Sequence, residues 1–240
     1  MTVEVVPLNI LAKSSAGTAP VTFLSDTFAR GTLNPVGSML YAPISSWIVP
    51  VINNVIIGLP QCNNTGQILL TTAPNGGGTA TSVPMLIPCV GLTIPAVFGQ
   101  QQFAQCTFNS LTNALAIGAG LSIMGSWNNG LGIIQWYGLN FSQATFAQYE
   151  RVIINGSGVL SVTTLFTDGV AQAPGDVWRI SFNPATNTNT VKKNGATVFN
   201  AVDGSPLSGG IPGFQVRVAN QTAGVSNSAN VGVFSCGIGA

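Results

Sequence analysis

The main shortage in this 240-residue sequence is charge. It contains seven Lys and Arg, six Asp and Glu and no histidine, so only 5% of its residues are charged, against roughly a quarter in an average soluble protein. Residues 31–149 contain no charged residue at all. Because net charge keeps soluble proteins apart, this composition predicts a molecule that packs against other subunits. Unusual amino-acid usage in the source is the alternative explanation.

The shortage of acids and histidine argues against catalysis. Without histidine there is no Ser–His or Cys–His pair to activate a nucleophile, and zinc or haem would have few ligands. Glycoside hydrolysis needs two neighbouring carboxylates, whereas no two acids here lie within four residues of each other. The six acids are Glu4, Asp26, Glu150, Asp168, Asp176 and Asp203. The sequence therefore predicts that the protein is not an enzyme and has no zinc or haem centre.

Two further classes of protein are excluded by the same counts. Seven scattered basic residues cannot form the phosphate-neutralising patch that nucleic-acid binding requires. The most apolar stretches, 44–60 and 114–127, are interrupted by Pro, Asn, Gly or Ser, so neither offers about 20 consecutive apolar residues for a membrane span.

The first residues lack the pattern of a secretory signal peptide. We expect the protein to reach a virion or extracellular surface without ordinary export.

Cysteine usage leaves the redox state open. The four cysteines are widely spaced and allow three disulfide pairings, and the sequence does not choose among them. Buried free thiols are the simplest expectation, with one disulfide as the alternative in an oxidising environment. The positions are Cys62, Cys89, Cys106 and Cys236.

Glycine and proline are abundant, and they divide the chain into short runs rich in Val, Ile, Thr and Phe. Such runs are typical of many short strands joined by turns. A spacing of about ten residues per strand and turn favours a sandwich or jelly roll. The predicted strands are 21–28, 67–72, 102–109, 131–137, 150–154, 159–167, 177–183, 190–193, 196–202, 214–219 and about 232–236.

Local patterns support these strands and define one domain. Alternation in 177–182 places Trp178 on a core face rather than in a ligand site. Asn194-Gly195 between two apolar runs predicts a tight hairpin. Residues 1–20 combine a short apolar piece with a run of small residues, so we predict an extended N-terminal arm and hinge, or alternatively a poorly ordered terminus. Residues 21–240 then form a single sandwich domain.

Several of these segments together resemble a known superfamily. Residues 175–182 read Gly-Asp-Val-Trp-Arg-Ile-Ser-Phe, 187–199 contain the Asn-Gly hairpin, and 203–216 begin with an Asp-Gly turn. With 25–30 (Ser-Asp-Thr-Phe-Ala-Arg) and Trp47, this pattern resembles the concanavalin A-like lectin/glucanase superfamily in its laminin-G-like form, as in phage and bacterial surface proteins. The resemblance implies an all-β, two-sheet antiparallel jelly-roll sandwich whose first and last strands lie near each other.

That superfamily contains hydrolases, lectins and structural modules, so function has to be argued from the residues. The composition favours a non-catalytic virion structural protein, either a capsid-decorating or a fibre-like subunit, that acts through self-association or packing with other virion or surface subunits. The alternative is a carbohydrate-binding or adhesion module on a virion or cell surface, with glycans as partners.

Trp127 and Tyr137 are the candidate ligand-binding residues. Trp127 lies in a predicted loop, and Tyr137 follows Trp136, so one of that adjacent pair should face outward from a regular strand. Packing on the sheet edge is the alternative for both candidates. No cofactor is expected. Asp26 and Asp203 are candidate calcium ligands, although both are more simply explained as turn residues.

Overall fold

A computed structural model describes residues 21–26, 34–35, 51–52, 55–56, 60–62, 67–70, 83–86, 101–112, 117–128, 131, 133–142, 147–157, 159–169, 172–218 and 227–239. The predicted arm, residues 1–20, lies outside this part of the chain. The division of the chain at residue 20 therefore stays a prediction.

The larger of two main sheets has nine strands. β17 (Asn227–Ile238) is central in it, because one side pairs with β8 (Gln102–Thr112) and the other side pairs with β6 (Gln67–Leu70) and β1 (Val21–Asp26). In spatial order the strands are β15 (Ala196–Val202), β14 (Thr188–Lys193), β13 (Val177–Asn183), β8 (Gln102–Thr112), β17 (Asn227–Ile238), β6 (Gln67–Leu70), β5 (Pro60–Cys62) and β2 (Asn34–Pro35), with β1 (Val21–Asp26) also paired to β17.

The second sheet has six strands, and the two sheets form the layers of a sandwich. Its spatial order is β12 (Leu160–Thr167), β11 (Ala147–Ile154), β10 (Ile133–Ser142), β9 (Ile117–Asn128), β16 (Ile211–Val218) and β7 (Val83–Leu86). A small two-stranded sheet joins β3 (Val51–Ile52) to β4 (Val55–Ile56). Every described strand pair is antiparallel. The all-β, two-sheet jelly roll is thus confirmed, as is the contact between first and last strands.

Aromatic side chains on the inner faces connect the sheets. Tyr137 of β10 stacks on Phe182 of β13 with ring centroids 5.3 Å apart. Further contacts between the sheets join Phe141 to Trp178 and Phe214 to Phe234. These rings are almost entirely buried, and aromatic pairs of this geometry each contribute about 0.5–1.5 kcal/mol beyond their burial. The inner face of each sheet is therefore an aromatic core.

A second apolar cluster occupies the opposite, outer face of the six-stranded sheet. It consists of Ile134, Trp136, Val152 and Ile154, with Val162 packed against it. Alternation explains its position, because Tyr137 and Leu139 of β10 belong to the inner cluster. The six-stranded sheet therefore buries apolar residues on both faces.

Two local predictions are confirmed. Trp178 is fully buried in the core, and β14 and β15 are joined at Asn194-Gly195. Both turn residues have positive φ, 51° and 83°, as a type I′ hairpin turn requires.

Other predictions need correction or lie outside the described residues. Residues 117–128, which the sequence left without a strand, form the long strand β9. Trp127 was expected in a loop, but it belongs to β9 and its backbone pairs with Ile134. Cys106 and Cys236 are buried thiols that form no disulfide with any described residue, as expected for these two, and burial raises the pKa of Cys106. The side chains of Cys62 and Cys89 are not among those described.

Neighbouring residues of β17 provide a test of the inner face. Replacing the buried Phe234 by alanine should lower the free energy of unfolding by about 3–5 kcal/mol, because it leaves a cavity in the aromatic core. The matched change Val233→Ala, at a side chain 52% exposed, should cost less than about 1 kcal/mol. Urea unfolding measures both variants, and equal costs would contradict the described alternation.

Candidate functional site

Tyr137, one of the two predicted ligand contacts, is fully buried. It and Trp136 point to opposite faces of β10, as alternation requires, yet neither exposes any surface because both faces of the sheet are buried there. The expectation that one ring of this pair is available to a ligand is therefore not met in the described structure.

The hydroxyl of Tyr137 belongs to a polar network that closes one end of the sandwich. It donates to Asp203 Oδ2 at 2.7 Å and accepts from the backbone N–H of Leu207 at 3.0 Å. Arg151 lies across from Tyr137 on β11, and its Nη1 donates to Asp203 Oδ1 at 2.9 Å and to the carbonyl of Ser205 at 2.7 Å. These bonds hold the loop that follows β15 across the sandwich end.

The same network shifts two pKa values in opposite directions. Burial and the bond to Asp203 raise the pKa of Tyr137 to about 12. Burial tends to raise the pKa of Asp203, but the bonds from Tyr137, the Ser205 N–H and Arg151 outweigh it, so the net pKa is below its usual value. Asp203 also accepts the Ser205 N–H at 2.8 Å. This is the turn role that the sequence suggested, and the carboxylate is fully used within the chain.

A second group of polar residues lies on the outer face of the six-stranded sheet, beside the apolar cluster. In the cross-strand register, Ser122 of β9 and Glu150 of β11 both pair with Gly138 of β10. In the next row, Asn140 pairs with Gly120 and with Gln148. We call these two rows the polar rows.

Two buried atoms in the polar rows lack hydrogen-bond partners. Ser122 is 0% exposed and Asn140 6% exposed. Ser122 Oγ and Asn140 Oδ1 have no partner among the described residues. A buried polar group without a partner costs about 1–3 kcal/mol, so such groups in a native protein call for an explanation such as a ligand.

Glycines form the floor between these polar side chains. Gly120 and Gly138 lie within the polar rows, and Gly213 of β16 pairs with Ser122. A Cβ on Gly120 would collide with the backbone carbonyl of Leu139, so no larger residue fits the strand spacing there. All three glycines are buried within the chain, and without side chains there the backbone itself lies between the polar groups.

The polar rows reach solvent at the edge strand β12. Glu150 pairs with Thr164, and Gln148 pairs with Thr167. Both threonines are exposed, whereas Glu150 is 4% exposed. Glu150 is also the one charged group among the described side chains of this face. The face thus combines hydroxyl, amide and carboxylate groups with an adjoining tryptophan-containing cluster.

Most other described charges are paired away from this face. Lys193 lies between Asp168 and Asp176, with N–O distances of 3.4 and 3.3 Å, and its Nζ is 5.0 Å from the Trp178 ring centroid. Within the described ranges, no three acidic or cysteine side chains come together to hold a metal ion. No helix among these residues is long and apolar enough to cross a membrane.

The architecture and its strand order define a concanavalin A-like jelly roll. The sequence matches no protein-family model and no curated protein. Among solved structures, the chain is similar to a prokaryotic β-1,3-1,4-glucanase (lichenase) from a mouse hindgut metagenome, with a TM-score of 0.53 and 8% identity over 90% of this chain and 98% of that one.

Two further structures extend the comparison. A family 7 alginate lyase in complex with substrate matches with a TM-score of 0.51 and 11% identity, over 81% of this chain and 92% of the lyase. A carbohydrate-binding module from Bacillus subtilis matches with a TM-score of 0.46 and 13% identity, over 80% and 96%. These neighbours are glycan-active or carbohydrate-binding jelly rolls. None is a virion protein, so the virion role and location stay predictions from sequence.

The comparisons contradict the prediction that the protein is not an enzyme. Lichenase and alginate lyase are enzymes built on this fold. The prediction was based on the lack of paired carboxylates and of histidine, whereas the same sandwich fold occurs in enzymes that catalyse different reactions. At 8 and 11% identity the likeness establishes the fold and assigns no reaction to this chain.

The buried Tyr137 hydroxyl generates the first prediction for this region. Tyr137→Phe should lower the free energy of unfolding by about 1–3 kcal/mol, because the buried N–H of Leu207 loses its acceptor. Urea unfolding measures this cost. Ser205→Ala is the control, since Ser205 enters the network through backbone groups alone and should leave stability unchanged. An equal loss in both variants would contradict the assigned role.

The lowered pKa of Asp203 predicts a dependence of stability on pH. Its folded-state pKa lies below the ordinary value of 3.8, so the unfolded chain binds the proton more readily. The stability that Asp203 contributes is complete above the unfolded pKa and disappears as pH falls through the folded pKa. Thermal unfolding between pH 6 and pH 2, on this reasoning, should show a smaller acid-induced decrease in Asp203→Asn than in the native chain. An unchanged pH profile would argue against this coupling.

Proposed function

We propose that the protein binds carbohydrate on the outer face of the six-stranded sheet, along the polar rows. The observation that carries the proposal is the pair of buried atoms, Ser122 Oγ and Asn140 Oδ1, that have no hydrogen-bond partner among the described residues and lie beside the glycines of the polar rows. Sugar hydroxyls both donate and accept hydrogen bonds, so they suit a hydroxyl and an amide oxygen equally. The glucanase and the alginate lyase of similar fold support the same class of ligand.

Because these groups are buried, each hydrogen bond that they form with a ligand should contribute strongly to affinity. In a site of low dielectric, a hydrogen bond is stronger than in water, and an unmet one is more costly. Binding of a sugar hydroxyl would satisfy Ser122 and Asn140 at once, while the exposed Thr164 and Thr167 offer contacts at the rim. The site thus gains most from a ligand that extends across several strands.

The two atoms that lack described partners also bear on the class of glycan. Ser122 Oγ and Asn140 Oδ1 are neutral, and an amide oxygen can only accept hydrogen bonds, so it pairs with a sugar hydroxyl and not with a carboxylate. We therefore propose a neutral polysaccharide as the ligand, in preference to a uronic-acid polymer such as alginate.

Trp127 remains a predicted ligand contact within this proposal. Its backbone pairs with Ile134, a member of the outer apolar cluster, so it belongs to the strand that also carries Ser122. Aromatic residues beside polar groups are a usual arrangement for sugar binding. Trp127→Ala should weaken glycan binding, and unchanged affinity would remove Trp127 from the site.

Ser122→Ala tests the site most directly. Removal of a buried hydroxyl without a partner should leave the free energy of unfolding unchanged or raise it, while affinity for a neutral β-1,3-1,4-glucan should fall about tenfold, the equivalent of one hydrogen bond of about 1.4 kcal/mol. Isothermal titration calorimetry with this glucan and with alginate measures the affinities. The same titrations can be analysed for newly formed reducing ends.

The control is Ser181→Ala, at a buried serine on the nine-stranded sheet. It should bind glucan like the native chain. If neither glycan binds the native protein, or if both serine variants bind equally well, the proposed site is wrong. Tighter binding of alginate than of glucan would refute the preference for neutral sugars.

A further inference from the structure

Both sheets end at the same side of the sandwich. β12 is the last strand of the six-stranded sheet, and β15 is the last strand of the nine-stranded sheet. The rings of Phe166 and Phe199, one from each of these strands, stack at 5.3 Å. On their outer sides, neither strand pairs with any other described strand. Two open edges therefore run beside each other.

Neither edge strand contains a charged residue or a proline. Natural proteins usually protect open edges with lysine, proline or bulges, because a row of free N–H and C=O groups pairs readily with another strand. The charges that follow these strands, Asp168 and Asp203, form ion pairs within the chain. No described charge on either strand opposes pairing.

Of these three protections against edge pairing, the two edge strands contain only β-bulges. The register shifts at Leu165 in β12 and at Val198 in β15. Beyond these positions the pairing is regular over 160–164 and over 199–202. Each edge thus keeps a regular segment of four or five residues with which a partner strand can align.

Apolar residues between the two edges are incompletely covered. Leu165, Phe166 and Phe199 are only partly buried where they pack against the inner core, and Val202 is 69% exposed. We call these four residues with the two edge strands the open seam. Whatever covers the open seam must supply apolar contacts as well as backbone hydrogen bonds.

We propose that a second copy of this chain occupies the open seam. A partner that satisfies both edges needs two strand edges about 10 Å apart, the spacing of packed sheets, and another copy of the sandwich presents just such a pair. A two-fold axis perpendicular to the sheets aligns β12 with its own copy and β15 with its own copy, antiparallel in both cases. A single extended peptide would fill one edge and leave the phenylalanines uncovered.

Sedimentation velocity over a range of protein concentrations tests the proposal. The native chain should form a dimer of twice the 24.6 kDa chain mass. Thr163→Lys in β12 and Val202→Lys in β15, both at exposed positions, should each raise the dimer dissociation constant at least tenfold. The two-fold axis brings each new charge near its copy, and the charge must lose hydration at the interface.

Val233→Lys is the matched control, because Val233 is similarly exposed, at 52%, on the central strand β17. It should dimerise like the native chain, and circular dichroism and melting temperature establish that each variant is folded. Hydrogen exchange gives a second readout, since alternate amides of β12 and β15 should be protected only at concentrations where the dimer forms. A native chain that stays monomeric, or edge variants that dimerise normally, would overturn the proposal. Neither result bears on the glycan site within a single chain, which the Ser122→Ala titration tests separately.

Discussion

The aromatic contacts between the two sheets determine which side of the contributing strands faces inward. Tyr137 against Phe182 and Phe141 against Trp178 fix the inner face of β10. Because side chains alternate strictly along a strand, a slip of one residue would exchange its two faces. Asn140 must therefore lie outward, and the strand pairing sets Ser122 and Glu150 on the same outer face. The candidate site is thus a consequence of how the core packs.

That constraint also explains what sequence reasoning could and could not predict. The strands of the second half were predictable, because Trp178 alternates cleanly and Asn194-Gly195 marks a hairpin. Strand β9 was not, because its glycines indicate breaks in a sequence read alone. In the sheet, Gly120 is required by the close approach of the Leu139 carbonyl. Long-range contact, rather than local preference, decides that segment.

The candidate site was missed for a related reason. Tyr137 was chosen because alternation sends one of two adjacent aromatics outward, which is correct, but burial on both faces of the six-stranded sheet cannot be inferred from one strand. Ser122 and Asn140 have no distinguishing signal, since serine and asparagine are common throughout this chain. Each has a buried polar atom without a partner among the described residues, and only three-dimensional packing reveals this. The scarcity of paired acids was likewise a poor guide to catalysis, because the fold is shared with enzymes of differing chemistry.

The proposed dimer and the proposed glycan site are connected by the direction of the polar rows. These rows run across the strands and end at Thr164 and Thr167 of β12, the strand whose outer edge belongs to the open seam. Two copies joined there would place the rows of one sheet end to end with those of the other. A polysaccharide that lies across the strands would then contact both copies, and the second contact would form at a high effective concentration. This step depends on the proposed function as well as on the dimer. It gives a physical reason for an uncharged edge, since a lysine on β12 would interrupt both the sheet and the path of the ligand.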